Sequence, residues 1–290
     1  FIKIKDLQFV VIKCLNSREV YNLFEGLNST GVALTSVEKT KNGLFGKLDE
    51  LDNTARKSKL KQGKNIWANV EASFEKTYPF WFNKFLRHQW FLINGKVSDK
   101  KLYDDIRKIK ITPAQNAKDI LSYLNLIKSD ADIYIRLRNG KLEEPWFPRN
   151  NRSNSSKDIV DVLKLFNNLD VEQIYPVLLA LYKYADANKE YYKNSRFFED
   201  IKRLWAFSLL AKYGKVVPSA YENIFAKLCL EIKGKSYTSF KKEMDSFFKE
   251  LVSTITGVES KFIKNFNSQY NHGRDKLSKF IFSDLYGREK

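Results

Sequence analysis

Apolar side chains recur at intervals of three and four residues along most of this chain, the repeat that lines one face of an α-helix. Val20, Leu23, Phe24 and Leu27 keep that spacing. Leu44, Phe45 and Leu48 repeat it after Thr35 and Glu38, whose three-residue offset forms a capping box. Ile66, Val70 and Phe74 mark another helix, and Pro79 suits the first turn of one carrying Phe82, Phe85 and Leu86. Thr112 and Pro113 read as an N-cap and a first helical residue before Ala117, Ile120, Leu121, Leu124 and Ile127. Ile159, Val162, Leu163 and Phe166 resume the pattern, and further helices are expected over 171–187, 196–212, 219–233, 239–255, 258–270 and 275–286. Only 12 Gly and 6 Pro punctuate 290 residues, which disfavours a turn-rich all-β fold. One stretch departs from the helical pattern. Residues 8–14 are rich in β-branched side chains and read as a buried strand, paired with residues 1–5 if a hairpin forms. The expected fold is mainly α: a multi-helix orthogonal bundle with a short β strand or hairpin at the N-terminus.

Charge narrows the partners. Lys and Arg exceed Asp and Glu by 17, which suits a polyanion such as DNA, RNA or an acidic membrane surface. Aromatic residues make up 14% of the chain, too many for a disordered basic tail. No apolar run approaches the ~20 residues that span a bilayer, and residues 1–5 do not read as a signal peptide. The densest basic run is Arg56, Lys57, Lys59, Lys61 and Lys64, with no acid among them. Gly63 and its polar surroundings predict a loop there, either solvated or in contact with phosphate. Residues 139–157 hold Gly140, Pro145, Pro148 and a polar run containing Arg149 and Arg152, and read as a linker or mobile loop. These two arginines join the candidate nucleic-acid contacts. Tyr182, Lys183, Tyr184, Tyr191, Tyr192, Lys193, Arg196, Phe197 and Phe198 interleave aromatics with bases. Exposed, they would stack on unpaired bases; at helical spacing, core packing is the simpler reading.

Few residues offer catalytic chemistry. Cys14, Cys229, His88 and His272 are the only Cys and His, and their spacing suits no structural zinc site. They read as reduced thiols and isolated imidazoles in a cytoplasmic protein. His88 titrates near neutrality when exposed, but a lone His is more often structural. Gly234-Lys235-Ser236 mimics the end of a phosphate-binding loop, yet the first glycine of that motif is replaced by Cys229. Gly234 fits better as the stop of a helix with the face Ile224, Phe225, Leu228 and Ile232. Glu231-Ile232-Lys233 has the spacing of half a metal-nuclease motif, but in helical rather than strand register. Asp104-Asp105 and Glu143-Glu144 read as solvated faces.

One segment is more specific: Phe24-Glu25-Gly26-Leu27-Asn28-Ser29-Thr30-Gly31-Val32-Ala33-Leu34-Thr35, followed by Glu38, Lys41, Asn42 and Leu44. Physically it is a helix, a polar turn in which Gly31 suits positive φ, and a freshly capped second helix. Backbone N–H groups near Asn28, Ser29 and Thr30 could hold an anion; the alternative is a ligand-free joint. The segment closely resembles a signature of the GmrSD-like family of modification-dependent (type IV) restriction and phage-defence proteins. Phe85-Leu86-Arg87-His88 with Gly95 and Leu102-Tyr103, then Tyr175-Pro176-Val177-Leu178-Leu179-Ala180-Leu181, and then the helix from Arg274 to Ile281 resemble later stretches of the family in the same order.

The resemblance implies an N-terminal ParB-like nucleotidase domain and, in many relatives, a C-terminal His-Asn-His nuclease. Neither motif occurs here. Phe1 is not an initiator Met, and the chain is expected to be a fragment, inactive alone, of an NTP-dependent restriction endonuclease. Residues 1–50 would be the remnant of the nucleotidase domain, 51–138 a first helical lobe, 139–157 the linker and 158–290 a second lobe. Phe24, Asn28, Thr30 and Gly31 would complete a nucleotide pocket in the intact protein, with no cofactor expected in the fragment. The expected function is a DNA-binding and coupling region. The alternative is a structural or oligomerisation scaffold, including a homodimer, without direct nucleic-acid binding.

Overall fold

The computed structural model describes residues 13, 23, 34–53, 57–77, 80–140, 155–169, 171–193, 196–258, 261–262 and 264–265. Among these residues the fold is mainly α, with eleven α-helices and no strand. The expected strand at residues 8–14 lies outside the described residues, apart from Lys13, and so does most of the expected linker at 139–157. The helices expected over 258–270 and 275–286 lie largely or wholly outside them too.

Contacts divide the chain into two units. Unit 1 runs up to Asn83 and resumes over Asp99–Lys128; unit 2 comprises Lys84–Ser98 and begins again at Ser129. The division falls inside two helices, so each unit is discontinuous in sequence.

Unit 1 is built on α1 (Ser36–Leu51), α2 (Ser58–Thr77), the start of α3 (Trp81–Asn94), α4 (Asp99–Ile106) and the first half of α5 (Ala117–Asn139). The capping box at the head of α1 forms as the sequence predicts. Glu38 N–H donates to Thr35 Oγ1 at 3.2 Å, and Thr35 N–H donates to Glu38 Oε2 at 2.7 Å. Val37, Thr40, Leu44, Phe45 and Leu48 then form its buried face. Phe45, Trp67, Phe74 and Phe82 join α1, α2 and the head of α3 through ring contacts of 5.0–6.3 Å.

The chain differs from expectation at Thr112-Pro113. A π-helical turn, Arg107–Ile111, follows α4, and Thr112 N–H closes it by donating to Arg107 C=O at 2.8 Å. Thr112 therefore ends one helical segment rather than starting the next. The start of α5 is set by Asn116 and Asp119. Asp119 N–H donates to Asn116 Oδ1 at 3.2 Å, and Asn116 N–H donates to Asp119 Oδ2 at 3.3 Å. This reciprocal pair satisfies more of the exposed N–H groups than Thr112 could.

Unit 2 holds most of α3, the second half of α5, α6 (Ser155–Leu169), a 3₁₀ turn (Glu172–Ile174), α7 (Tyr175–Ala187), α8 (Lys189–Lys193), α9 (Arg196–Tyr213), α10 (Ser219–Glu231) and α11 (Tyr237–Thr254). Every residue of α7 from Tyr175 to Tyr182 is buried, as expected of a helix that is apolar all round. α7 packs on α10, α10 on α11, and α6 on α9. Gly234 follows α10 with φ +71°, the left-handed conformation that glycine adopts most readily.

Candidate nucleic-acid interface

The described part of the basic run is helical, not a loop. α2 begins at Ser58, so Lys59, Lys61 and Lys64 lie on its first turns, and Lys57 precedes it with φ +47°. Tertiary packing overrides the local glycine signal. A Cβ on Gly63 would stand 2.5 Å from Leu48 Cδ2 and 3.1 Å from Leu124 Cδ1, so the glycine allows α2 to approach α1 and α5 closely. The same residue that predicts a turn here serves helix packing.

A carboxylate secures the head of α2. Asp52, 2% exposed, accepts hydrogen bonds from the N–H groups of Lys59 at 2.8 Å and Leu60 at 3.0 Å. It supplies the negative charge that a helix N-terminus favours, since the first turn of α2 contains no acid. It also occupies those two N–H groups, which leaves side-chain ammonium groups as the contacts open to an external anion. Lys57 Nζ donates to Asp49 C=O at 2.7 Å and lies 3.4 Å from its carboxylate. Lys59, Lys61 and Lys64 are exposed and have no ion-pair partner among the described residues. Arg56, Arg149 and Arg152 lie outside the described residues, as do Phe24, Asn28, Thr30 and Gly31 of the expected nucleotide pocket.

Four rings of the aromatic and basic cluster are core. Tyr182, Tyr184, Tyr191 and Phe197 are at most 5% exposed. Tyr184 stacks on Phe240 at 3.8 Å, and Tyr191 meets Phe240 edge-on at 4.5 Å. These rings are not available to stack on bases.

The Phe85–Gln89 motif is likewise absorbed by unit 2. Phe85 and Leu86 are fully buried. Arg87 donates to Val97 C=O at 2.9 Å and to Glu222 Oε1 at 3.0 Å, and Lys96 adds a second cation 3.3 Å from Glu222. His88 Nδ1 lies 2.8 Å from the Tyr134 hydroxyl. Burial, aided by Arg87, Lys84 and Arg138, lowers the imidazole pKa to about 3. The ring is therefore neutral at physiological pH and does not shuttle protons there. Gln89 donates to Asp130 Oδ2 at 3.1 Å, and the Lys183 ammonium bonds the other oxygen of the same carboxylate. The sequence offers for His88 only the general rule that a lone His is more often structural, and contains no sign of Tyr134, Asp130 or Lys183 as partners, because those pairings are long-range.

Burial also raises the pKa of the Cys229 thiol, leaving it an inert core group. Among the described residues, no cluster of three or more His, Cys, Asp or Glu side chains could hold a metal ion. No helix there is long and apolar enough to cross a membrane. A second basic run escapes the motif-based reading. Arg107, Lys108 and Lys118 are exposed without an ion-pair partner among the described residues, and charge density alone marks their stretch. No known protein family, curated protein or solved structure matches the chain.

Proposed function

We propose that the chain is the helical DNA-binding and coupling region of a GmrSD-like restriction or phage-defence protein, and that it contacts DNA phosphates through the head of α2. The family part of this reading rests on the Phe24–Thr35 segment and the order of the later motifs. The DNA part rests on one observation above all: Lys59, Lys61 and Lys64 stand exposed, without ion-pair partners among the described residues, on an acid-free helix start. Lys59 and Lys61 lie on the first turn, where a cation opposes the helix dipole, so their placement does not serve helix stability. The net charge of +17 supports the same partner.

Electrostatic binding to a duplex weakens with salt, the logarithm of affinity falling by about 0.9 per neutralised phosphate for each logarithm of salt concentration. Replacing Lys59, Lys61 and Lys64 together by Ala should reduce that slope by roughly two to three, measured by fluorescence anisotropy at several salt concentrations. An unchanged slope would place the contact elsewhere, and no binding at 50 mM salt would refute the DNA reading. Self-association in sedimentation without any DNA complex would favour the scaffold instead.

A further inference from the structure

In unit 1, α5 packs against two elements on different sides. Leu121 and Leu124 face the head of α2, where a Cβ on Gly63 would stand 3.7 Å from Leu121 Cδ2 and 3.1 Å from Leu124 Cδ1. Tyr123 faces the π-helical turn, with Lys110 Nζ 5.8 Å from its ring centroid. At about 100° per residue these two sides are set roughly 130° apart around the helix. Ile120 and Ile127, fully buried, close the side toward the core. Lys118, Ser122 and Asn125 occupy the opposite, exposed side, between the two flanks.

Both flanks are cationic. Lys59, Lys61 and Lys64 stand at the head of α2, and Arg107, Lys108 and Lys110 belong to the π turn. From residue 107 to 128 the chain carries five cations and one acid, Asp119. Asp119 Oδ2 is itself occupied, accepting from the N–H groups of Gln115 and Asn116 at 3.0 and 3.3 Å. The spacing of the flanks selects the form of the polyanion. Packed neighbours stand about 8–10 Å from a helix axis, so elements that far apart around it are roughly 14–18 Å from each other. A major groove about 12 Å wide has a phosphate row on each side, one within reach of each flank. A single strand offers one row only, and is held largely by rings on which its bases stack. Among the described residues of α5, the π turn and the head of α2, no aromatic ring is exposed. A-form RNA presents a deep, narrow major groove instead.

We infer that unit 1 holds duplex DNA across a groove, with the head of α2 on one phosphate row, the π turn on the other and Lys118 of α5 between them. This rests on the DNA reading proposed above and adds to it a second phosphate row and the double-stranded form. The test uses the full chain and fluorescence anisotropy on a labelled duplex at several salt concentrations. Replacing Arg107, Lys108 and Lys118 together by Ala should lower the slope of log affinity against log salt by roughly two to three. These side chains are exposed, so thermal unfolding should remain as in the wild type. Combining the three changes with Lys59→Ala, Lys61→Ala and Lys64→Ala should lower the slope by the sum of the two decrements, because the flanks meet different phosphates. The corresponding single strand and an RNA duplex of the same sequence should bind at least tenfold more weakly than the DNA duplex. A slope unchanged by the first set but lowered by the α2 set would overturn the inference and leave the DNA reading standing. A combined decrement no larger than that of either set alone would reduce the contact to one row and overturn it likewise. Equal affinity for the single strand or the RNA duplex would overturn the assignment to double-stranded DNA. A slope unchanged by both sets would overturn the α2 contact as well.

Discussion

Two buried side chains shift their proton affinities in opposite directions. The His88 pKa falls from 6.5 to about 3, chiefly through burial. Asp200 rises from 3.8 to about 6, also through burial, although Arg196 and Arg203 lie 3.3 and 3.6 Å away and the Tyr191 hydroxyl donates to it at 3.1 Å. The neutral His88 favours the folded state above pH 6.5, and this contribution is lost as pH falls from 6.5 toward 3. Asp200 has the reverse sign: its contribution is complete below 3.8 and lost as pH rises through 6. Between about pH 4 and 6 the unfolded state binds one more proton at His88 and one fewer at Asp200, so the two slopes oppose each other at about 1.4 kcal/mol per pH unit. His88→Gln retains a hydrogen-bonding partner for Tyr134 and should lower the slope of stability against pH by about one proton. Asp200→Asn should raise it by about one proton. Urea unfolding at pH 4.5, 5.0 and 5.5 reads both changes, and a slope identical to that of the wild type in either variant would refute the assignment for that residue.

Among the elements, α2 is where local signals and packing diverge most. Its apolar repeat at Val70 and Phe74 is legible in the sequence, and both residues are buried. Its start is not legible, because the group that caps it, Asp52, is seven residues upstream of Lys59 and belongs to the end of α1. Gly63 misleads for a related reason: composition does not distinguish a glycine that turns the chain from one that admits Leu48 and Leu124. The head of α5 repeats the lesson, since Thr112-Pro113 has the local form of a start while Asn116 and Asp119 make the bonds. Capping is worth about 0.5–2 kcal/mol. Asp52→Ala should therefore lower stability by about 1–2 kcal/mol in urea, because it strands the N–H groups of Lys59 and Leu60. Asp52→Asn, which keeps an acceptor, should lose less. Equal losses would mean that the carboxylate acts through charge alone.

At the scale of the whole molecule, the order of most helices can be read from periodicity, α4 and α8 excepted, but their partition between units cannot. Residues 84–98 fold with the chain from Ser129 onward, past an intervening stretch that belongs to unit 1. Nothing in the spacing of Phe85, Leu86, Trp90 and Phe91 states which distant helix will cover them. The covering is nevertheless complete, as all four are at most 1% exposed. Phe85 meets Tyr134 at 5.2 Å, and His88 and Gln89 bond Tyr134 and Asp130. Burying one such side chain contributes roughly 1.5–3 kcal/mol. Four of them approach the ~5–15 kcal/mol that holds a typical domain folded. A chain beginning at Ser129 should thus lack a cooperative unfolding transition and near-ultraviolet dichroism. The partly satisfied network at Asp130 and Lys183 should weaken it further, because Gln89 is then missing. A chain beginning at Lys84 should recover both signals. Cooperative unfolding of the shorter chain at wild-type urea midpoint would show that the 84–98 segment is dispensable, and would refute the discontinuous unit as the folding unit.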